Sequence, residues 1–320
     1  MKSIVDLMHH MSPERRTLAL RLIAMAGLGL GLAVLADSFG SMNNLVTVLR
    51  QASLMFLLAS GLSLVIISGG LDLSIGANVS LSACLAGTVI AATGSSFAGV
   101  AVGAGCGMLI GIVNGWLIVG LRIPSFIATY GTMWILHGVT YWYMDGQTIH
   151  GMPSEFRMLG SGFFGGIPLP VYLMLLFLLA GTAFSQRTIW GQQIYAIGAN
   201  PVAAKLSGIP VNHRMLLVYA MSGFMAGLAS LVFLARLNSA EADLGEALTL
   251  QAIAAVLIGG TSLFGGRGTL AGTLLGSLIL AIVLNGMNLL GISANWQPFI
   301  TGVIVIVSVM FDSLGRRRRA

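Results

Sequence analysis

A succession of long apolar stretches, running from one end of the chain to the other, constrains its fold more than any other feature. Hydropathy places ten of them, each about as long as a bilayer core requires, near residues 17–36, 48–68, 76–93, 97–119, 124–143, 169–185, 215–235, 250–264, 269–290 and 297–312. Only 8% of the residues are charged, against roughly 25% in ordinary soluble domains. The sequence therefore predicts an all-α integral membrane protein, with residues 1–320 forming a single transmembrane domain.

The distribution of basic residues predicts the orientation of these spans. With an even number of spans and the N-terminus in the cytoplasm, only three of the 16 basic residues fall outside, namely Arg50, Arg157 and Arg236. An excess of Lys and Arg on the cytoplasmic side is the rule for membrane proteins. We therefore expect both termini to be cytoplasmic, with residues 1–16 as a retained N-terminal tail and residues 313–320 as a basic C-terminal tail.

Two connections are long enough to carry structure of their own. Residues 144–168 are predicted to form an external loop, and residues 186–214 a cytoplasmic loop. Within the cytoplasmic loop, Asn200 suits a helix N-cap, Pro201 suits a first turn and Gly208 suits a helix end. The sequence predicts a helix of about two turns there.

Glycines follow two different patterns. A ladder at every fourth residue runs along the fourth span from Gly99 to Gly115, and a shorter one runs from Gly268 to Gly276. Such ladders are typical of close helix packing, and a direct role in a transport pathway is the alternative. Paired glycines also occur at 69–70 and 259–260, each after a Val/Ile-rich half span. Matching interruptions of this kind indicate a transport site between parallel internal repeats, unless the similarity is chance in a Gly-rich chain.

Polar side chains within the spans are almost all neutral. Asp72 lies after a glycine pair, where capping of a helix start and substrate contact are both open. The candidate translocation pathway comprises Gly69, Gly70, Asp72, Asn114, Ser125, Thr129, Gln251, Thr261, Ser262, Asn285 and Asn288. Uncharged donors and acceptors suit a neutral polyhydroxylated solute, and they equally suit hydrogen bonds between helices.

No energy source and no catalytic or metal-binding cluster is evident in the sequence. A phosphate-binding G-x-x-x-x-G-K-[ST] loop is missing, and so is the relay of buried ionisable groups that gradient-driven carriers need. We therefore expect a transport protein without enzymatic activity, driven by a partner that contacts the short cytoplasmic helix. A stand-alone, gradient-driven carrier of a small polar solute is the alternative.

Five sequence blocks resemble the permease subunits of ATP-binding-cassette sugar importers of the ribose, xylose and arabinose group. The blocks are residues 68–76 (SGGLDLSIG), 124–129 (PSFIAT), 194–209 (IYAIG with Asn200, Ala203, Ala204 and LSGI), 252–266 (AIAAV, IGGTSL and the Gly265–Gly266 pair) and 285–289 (NGMNL). They occur in unbroken order between about residues 45 and 312. In one departure, ribose-type permeases tend to carry two acids where this chain has Thr249 and Gln251, which argues against ribose itself as the solute.

The resemblance implies a homodimer in the inner membrane of a bacterium, embedded in membrane lipid and without nucleic acid. It implies import of a monosaccharide or related polyol that an external binding protein delivers. It also implies a cytoplasmic cassette ATPase that binds ATP and Mg²⁺, with no cofactor on this chain. The segment matching the family's coupling region consists of Asn200, Ala203, Ala204, Lys205, Leu206, Ser207, Gly208 and Ile209.

Overall fold

The computed structural model describes the backbone of residues 13–317 and the side chains of residues 19–313. Residues 1–12 of the predicted N-terminal tail and 318–320 of the predicted C-terminal tail lie outside the described residues, whereas the last helix continues into the C-terminal tail as far as Arg317. In chain order the elements are α1 Pro13–Leu35, α2 Met42–Ile67, α3 Ile75–Thr93, α4 Ser96–Val119, α5 Ser125–Met144, β1 Ile149–His150, α6 Ser154–Ser161, β2 Phe163–Phe164, β3 Ile167–Pro168, α7 Leu169–Arg187, α8 Ile189–Ala199, α9 Pro201–Leu206, α10 Val211–Leu237, β4 Ser239–Ala240, α11 Leu248–Ile258, α12 Leu270–Leu289, a 3₁₀ turn at Ala294–Trp296 and α13 Gln297–Arg317.

Each predicted span corresponds to one helix, which confirms the all-α membrane architecture. Among the described residues, seven segments are long and apolar enough to cross a bilayer by length and composition alone, while α11 and the apolar part of α1 are shorter. The predicted eighth span was wrong at its end: α11 stops at Ile258, about two turns before residue 264.

The two glycine pairs end their helices in the same way. After α2, Gly69 adopts a φ of +83°, the N–H of Gly70 donates to the carbonyl of Val65, and the N–H of Gly69 donates to Ile66. After α11, Gly260 has a φ of +77°, and the corresponding bonds run from Thr261 to Val256 and from Gly260 to Leu257. These are Schellman caps, which need a left-handed residue after the last helical one. Both pairs therefore end a helix with the same motif, although the left-handed residue is the first glycine of one pair and the second of the other.

The glycine ladders lie where helices pack closely, as predicted from their spacing. A Cβ on Gly107 would lie 2.6 Å from the Cα of Gly227, and a Cβ on Gly223 would lie 2.7 Å from the Cα of Gly111. Helices α4 and α10 thus cross with their backbones in contact, which only glycine permits. On the shorter ladder, Gly276 packs against α11 in the same manner, whereas Gly268 lies in the loop before α12.

The two long connections are structured. The predicted external loop contains α6 and the antiparallel pair β2–β3, and its strand β1 pairs with β4, which follows α10. The predicted cytoplasmic loop contains the expected helix as α9 and a longer one, α8, that the sequence did not reveal. Gly208 ends α9 with a φ of +79°, as its position predicted.

Candidate functional site

An extended segment inside the protein, residues 68–74, connects α2 to α3. Its backbone is held by side chains from two other helices. The N–H of Leu71 donates to Ser125 Oγ at 3.3 Å, and the carbonyl of Leu71 accepts from Thr129 Oγ1 and from the Tyr219 hydroxyl, each at 3.2 Å. The N–H of Leu73 donates to Thr129 Oγ1 at 3.2 Å. Backbone groups at membrane depth must be satisfied within the protein, and these hydroxyls do so.

Asp72 is the acid of this segment, and it is buried with both carboxylate oxygens engaged. One oxygen accepts from the N–H and the hydroxyl of Ser74 at 3.0 and 2.7 Å, and the other accepts from Ser222 Oγ at 3.1 Å. Asn114 extends the network by donating to Ser74 Oγ at 2.7 Å. Both oxygens of Asp72 are thus occupied by hydrogen bonds within the protein. Asp72 does not cap α3 itself, because the N-cap position belongs to Ser74.

The starts of α3 and α11 meet next to this network. Thr249 Oγ1 accepts from the N–H of Gly76 at 3.1 Å and donates to the carbonyl of Leu73 at 3.4 Å. The N–H of Gly245 donates to Ser80 Oγ at 2.8 Å. Helix α11 has only 11 residues, about 16 Å at 1.5 Å per residue, so it spans roughly half of a bilayer core. Two helices thus begin within the protein interior, a feature typical of transporter binding regions.

A cavity of about 290 Å³ lies between α2, α10, α11, α12 and α13. We call it the outer cavity, because it lies toward the predicted external ends of these helices. Its apolar walls include Leu54 and Phe233, and its polar groups are Gln51, Arg236, Gln251, Asn288 and Gln297. Two of the predicted pathway residues, Gln251 and Asn288, therefore line one space.

The remaining predicted pathway residues lie elsewhere in pairs between helices. Asn285 donates to Asn44 Oδ1 at 2.9 Å and joins α12 to α2. Thr261 lies 3.4 Å from Ser63, which also accepts from Thr273 at 3.0 Å. Ser262 donates to Asp312 on α13 at 2.8 Å. The structure thus separates the predicted set into the network around Asp72, the outer cavity and these interhelical bonds.

The first glycine break meets the end of α8 and the Gly265–Gly266 pair, which lies in the loop after the second break. The N–H of Gly266 donates to the carbonyl of Ile67 at 2.8 Å, and a Cβ on Gly265 would lie 2.9 Å from the Cα of Gly69. A Cβ on Gly198 would collide with the carbonyl of Ile67 and lie 2.5 Å from the nitrogen of Gly266. We call Gly69, Gly198, Gly265 and Gly266 the glycine crossing. It joins the predicted cytoplasmic loop to the first break and to the loop that follows the second break.

A tyrosine on α8 reinforces the glycine crossing. The hydroxyl of Tyr195 donates to the carbonyl of Gly268 at 2.9 Å, beside the start of α12. Burial raises the pKa of Tyr195 above its ordinary value. The hydroxyl therefore stays protonated, and remains a donor, throughout the physiological pH range.

Helix α9 presents an exposed surface immediately after the glycine crossing. Asn200 Oδ1 accepts from the N–H groups of Val202 and Ala203 at 3.1 and 3.0 Å and so caps the helix. Val202 is 68% exposed and Leu206 is 84% exposed, whereas Ala204 is buried. Exposed apolar side chains beside Lys205 form a small surface that suits a protein partner.

Similarity to known proteins agrees with this architecture. Residues 44–309 match the family model described as "Branched-chain amino acid transport system / permease component". This chain belongs to that family. It is 38% identical to the ribose import permease protein RbsC of Escherichia coli K12 over 296 residues, which is 91% of this chain and 92% of the relative. It is 38% identical to RbsC of Bacillus subtilis over 88% of each chain.

A further relative carries a different sugar in its name. The fructose import permease protein FrcC of Rhizobium meliloti is 31% identical over 317 residues, which is 96% of this chain and 87% of that protein. No solved structure matches the chain. The protein is therefore a multi-pass membrane permease, and the resemblance seen in its sequence is confirmed.

Several residues of the site were missed at the sequence level. Ser74, Ser222 and Tyr219 hold the extended segment, and Gln51 and Arg236 line the outer cavity. Ser222 and Tyr219 lie about 150 positions from the residues they contact, so no local pattern indicates them. Gln51 gave a signal, because a glutamine near the start of an apolar span is uncommon.

Proposed function

We propose that this chain is the membrane-spanning permease subunit of an ATP-driven importer, carrying a monosaccharide or related polyol into a bacterial cell through the inner membrane. The relatives that cover nine-tenths of the chain carry sugar import in their names. The outer cavity supports the proposal, because neutral amide side chains and a small volume suit a sugar.

The observation that carries the partner dependence is the exposed surface of α9 beside the glycine crossing. Helix α9 has six residues, and its apolar side chains Val202 and Leu206 have no cover among the described residues. A cytoplasmic cassette ATPase bound to this surface would act on a helix pair that contacts the first glycine break and the loop after the second. ATP and Mg²⁺ belong to that partner, and this chain performs no chemistry.

Two further partners belong to the same proposal. A second copy of the chain would form the other half of the pathway, and an external binding protein would deliver the sugar. The pathway residues on this chain are the lining of the outer cavity and the predicted set given above. Coupling to the ATPase falls to residues 200–209.

Reconstitution tests this proposal against the stand-alone carrier. The full-length protein is placed in lipid vesicles, alone or with the cassette ATPase and binding protein encoded by the same bacterium. We expect accumulation of labelled monosaccharide only when both partners and ATP are present. Accumulation by the chain alone on a proton or sodium gradient would refute the proposal.

A variant of α9 and a matched control extend this experiment. Ala204 lies on the buried face of α9, so Ala204→Arg should displace the helix and abolish both ATPase association and uptake. Arg157→Gln, an exposed change on α6, should leave both unaltered. Normal uptake by Ala204→Arg would contradict the assignment of α9 as the coupling helix.

A further inference from the structure

The polar lining of the outer cavity contains four neutral amides and a single charged group. Gln51, Gln251, Asn288 and Gln297 offer both donors and acceptors, whereas Arg236 offers only donors and a positive charge. A cavity of about 290 Å³ has room for roughly ten water molecules at about 30 Å³ each, and hence for a solute of about the size of a monosaccharide.

Arg236 has no carboxylate partner among the described residues. Arg50, the charged group that acts on its guanidinium electrostatically, has the same sign. The acids that follow in the chain, Glu241, Asp243 and Glu246, are all exposed. A partly buried guanidinium without a counterion favours an anionic ligand, and its planar fork matches a carboxylate through two parallel hydrogen bonds.

The amide side chains of the cavity have donors and acceptors without hydrogen-bond partners among the described residues. Gln51 Oε1 is buried and has no hydrogen-bond partner among the described residues. Gln297 donates to Asn288 Oδ1 at 3.1 Å, which leaves the Gln297 carbonyl and the Asn288 amide group for other partners. An unpaired buried acceptor is costly, and a hydroxyl group is the donor that would satisfy it.

We propose that the outer cavity is a binding site for a polyhydroxylated carboxylate, that is, a sugar acid. Arg236 pairs with the carboxylate, and Gln51, Gln251 and the Asn288–Gln297 pair bind hydroxyl groups. Phe233 and the neighbouring leucines cover the C–H faces of the solute. The proposal rests on the proposed import function and specifies its substrate class.

Binding to the full-length protein in lipid nanodiscs tests the site directly. The probes are D-galacturonate and its neutral counterpart D-galactose, each measured by saturation-transfer NMR titration, which detects weak binding. We expect D-galacturonate to bind at least tenfold more tightly than D-galactose, and Arg236→Gln to remove that preference. Arg157→Gln is the matched control, because it removes the same charge from an exposed position on α6, and it should keep the preference.

A second variant keeps the proposal testable if Arg236→Gln fails to fold. Gln251→Glu adds a carboxylate to the cavity from α11, so it should weaken D-galacturonate binding at least tenfold more than it weakens D-galactose binding. Equal affinity of the wild-type protein for both probes would overturn the proposal. So would a preference for D-galacturonate that survives both Arg236→Gln and Gln251→Glu.

The outcome also separates this inference from the import function. If the reconstituted importer accumulates neutral monosaccharide with ATP while the nanodisc experiment shows no preference for the acid, the import function stands and the sugar-acid site is rejected. If no ATP-dependent uptake of either probe occurs but the acid binds with the expected dependence on Arg236, the site stands and the import function is rejected.

Discussion

Removal of the helix cap at Asn200 gives the most quantitative test of the coupling helix. In Asn200→Ala, the N–H groups of Val202 and Ala203 lose the oxygen that accepts them at 3.1 and 3.0 Å. Loss of an N-cap costs about 1 kcal/mol, with a range of about 0.5–2 kcal/mol. Helix α9 has only six residues, and isolated helices of that length are not stable in water. The cap is therefore a large part of what keeps α9 folded.

The cost of uncapping should appear in the affinity for the ATPase. If α9 must be helical to bind its partner, a loss of about 1–2 kcal/mol weakens association by roughly five- to thirtyfold. Association is measured by titrating the purified ATPase onto the permease in nanodiscs, and ATP-driven uptake is measured in vesicles. Both should fall together, since only the coupling surface is altered.

Asn200→Asp is the matched control, because aspartate caps helices as well as asparagine does. It should bind the ATPase within about twofold of the wild-type protein. If Asn200→Ala also binds normally, the helix does not need its cap to dock. If Asn200→Asp is as weak as Asn200→Ala in an otherwise folded protein, the effect does not come from capping, and the reasoning is refuted.

Three further predictions follow from packing and hydrogen bonding. Gly107→Ala should lower the free energy of unfolding, measured in a thermal melt, by about 1–3 kcal/mol, because α4 and α10 must separate. Gly105→Ala is the control, since Gly105 has open space around it. Equal melts of the two variants would contradict the close packing of α4 on α10. Gly198→Ala should reduce ATP-driven uptake while ATPase binding stays within about twofold, since the change lies in the glycine crossing and not on α9. Loss of ATPase binding would contradict this separation of docking from coupling. Asn114→Ala should lower the free energy of unfolding by about 1–3 kcal/mol, because Ser74 loses a buried hydrogen-bond partner. Gln251→Ala should alter transport without changing the thermal melt. The reverse pattern would show that Asn114 serves transport and that Gln251 serves stability.

Local sequence signals predicted the number of spanning helices and the limits of α9. The periods and lengths of the apolar stretches gave ten spans, and Asn200, Pro201 and Gly208 gave the limits of α9 within a residue. The glycine pairs predicted breaks that the structure realises as Schellman caps after α2 and α11. These features depend on residues within one or two turns, so a sequence contains the information directly.

The site could be predicted only in part, because its members come from distant segments. Asp72 was identified as an unusual residue, but its partner Ser222 lies 150 positions away, and only the packing of α10 brings the two together. Arg236 was assigned to the predicted outer side as evidence for orientation. Its place in the outer cavity depends on how α2, α12 and α13 surround it, and hydropathy does not specify the order of helices in a bundle.

The glycine crossing links the proposed docking surface to the outer cavity through rigid elements. Gly198 ends α8 against the carbonyl of Ile67, and that same carbonyl accepts the N–H of Gly266 in the loop between α11 and α12. A movement of α8 and α9 therefore cannot leave that loop in place, because backbone atoms are in contact and no side chain is available to yield. Since Gln251 lies on α11 and Asn288 on α12, displacement of their shared loop changes the separation of two groups that line the cavity. We expect the glycines of the crossing to be needed for transport. They keep backbone in direct contact with backbone, so a movement of the partner is transmitted to the cavity without loss in flexible side chains.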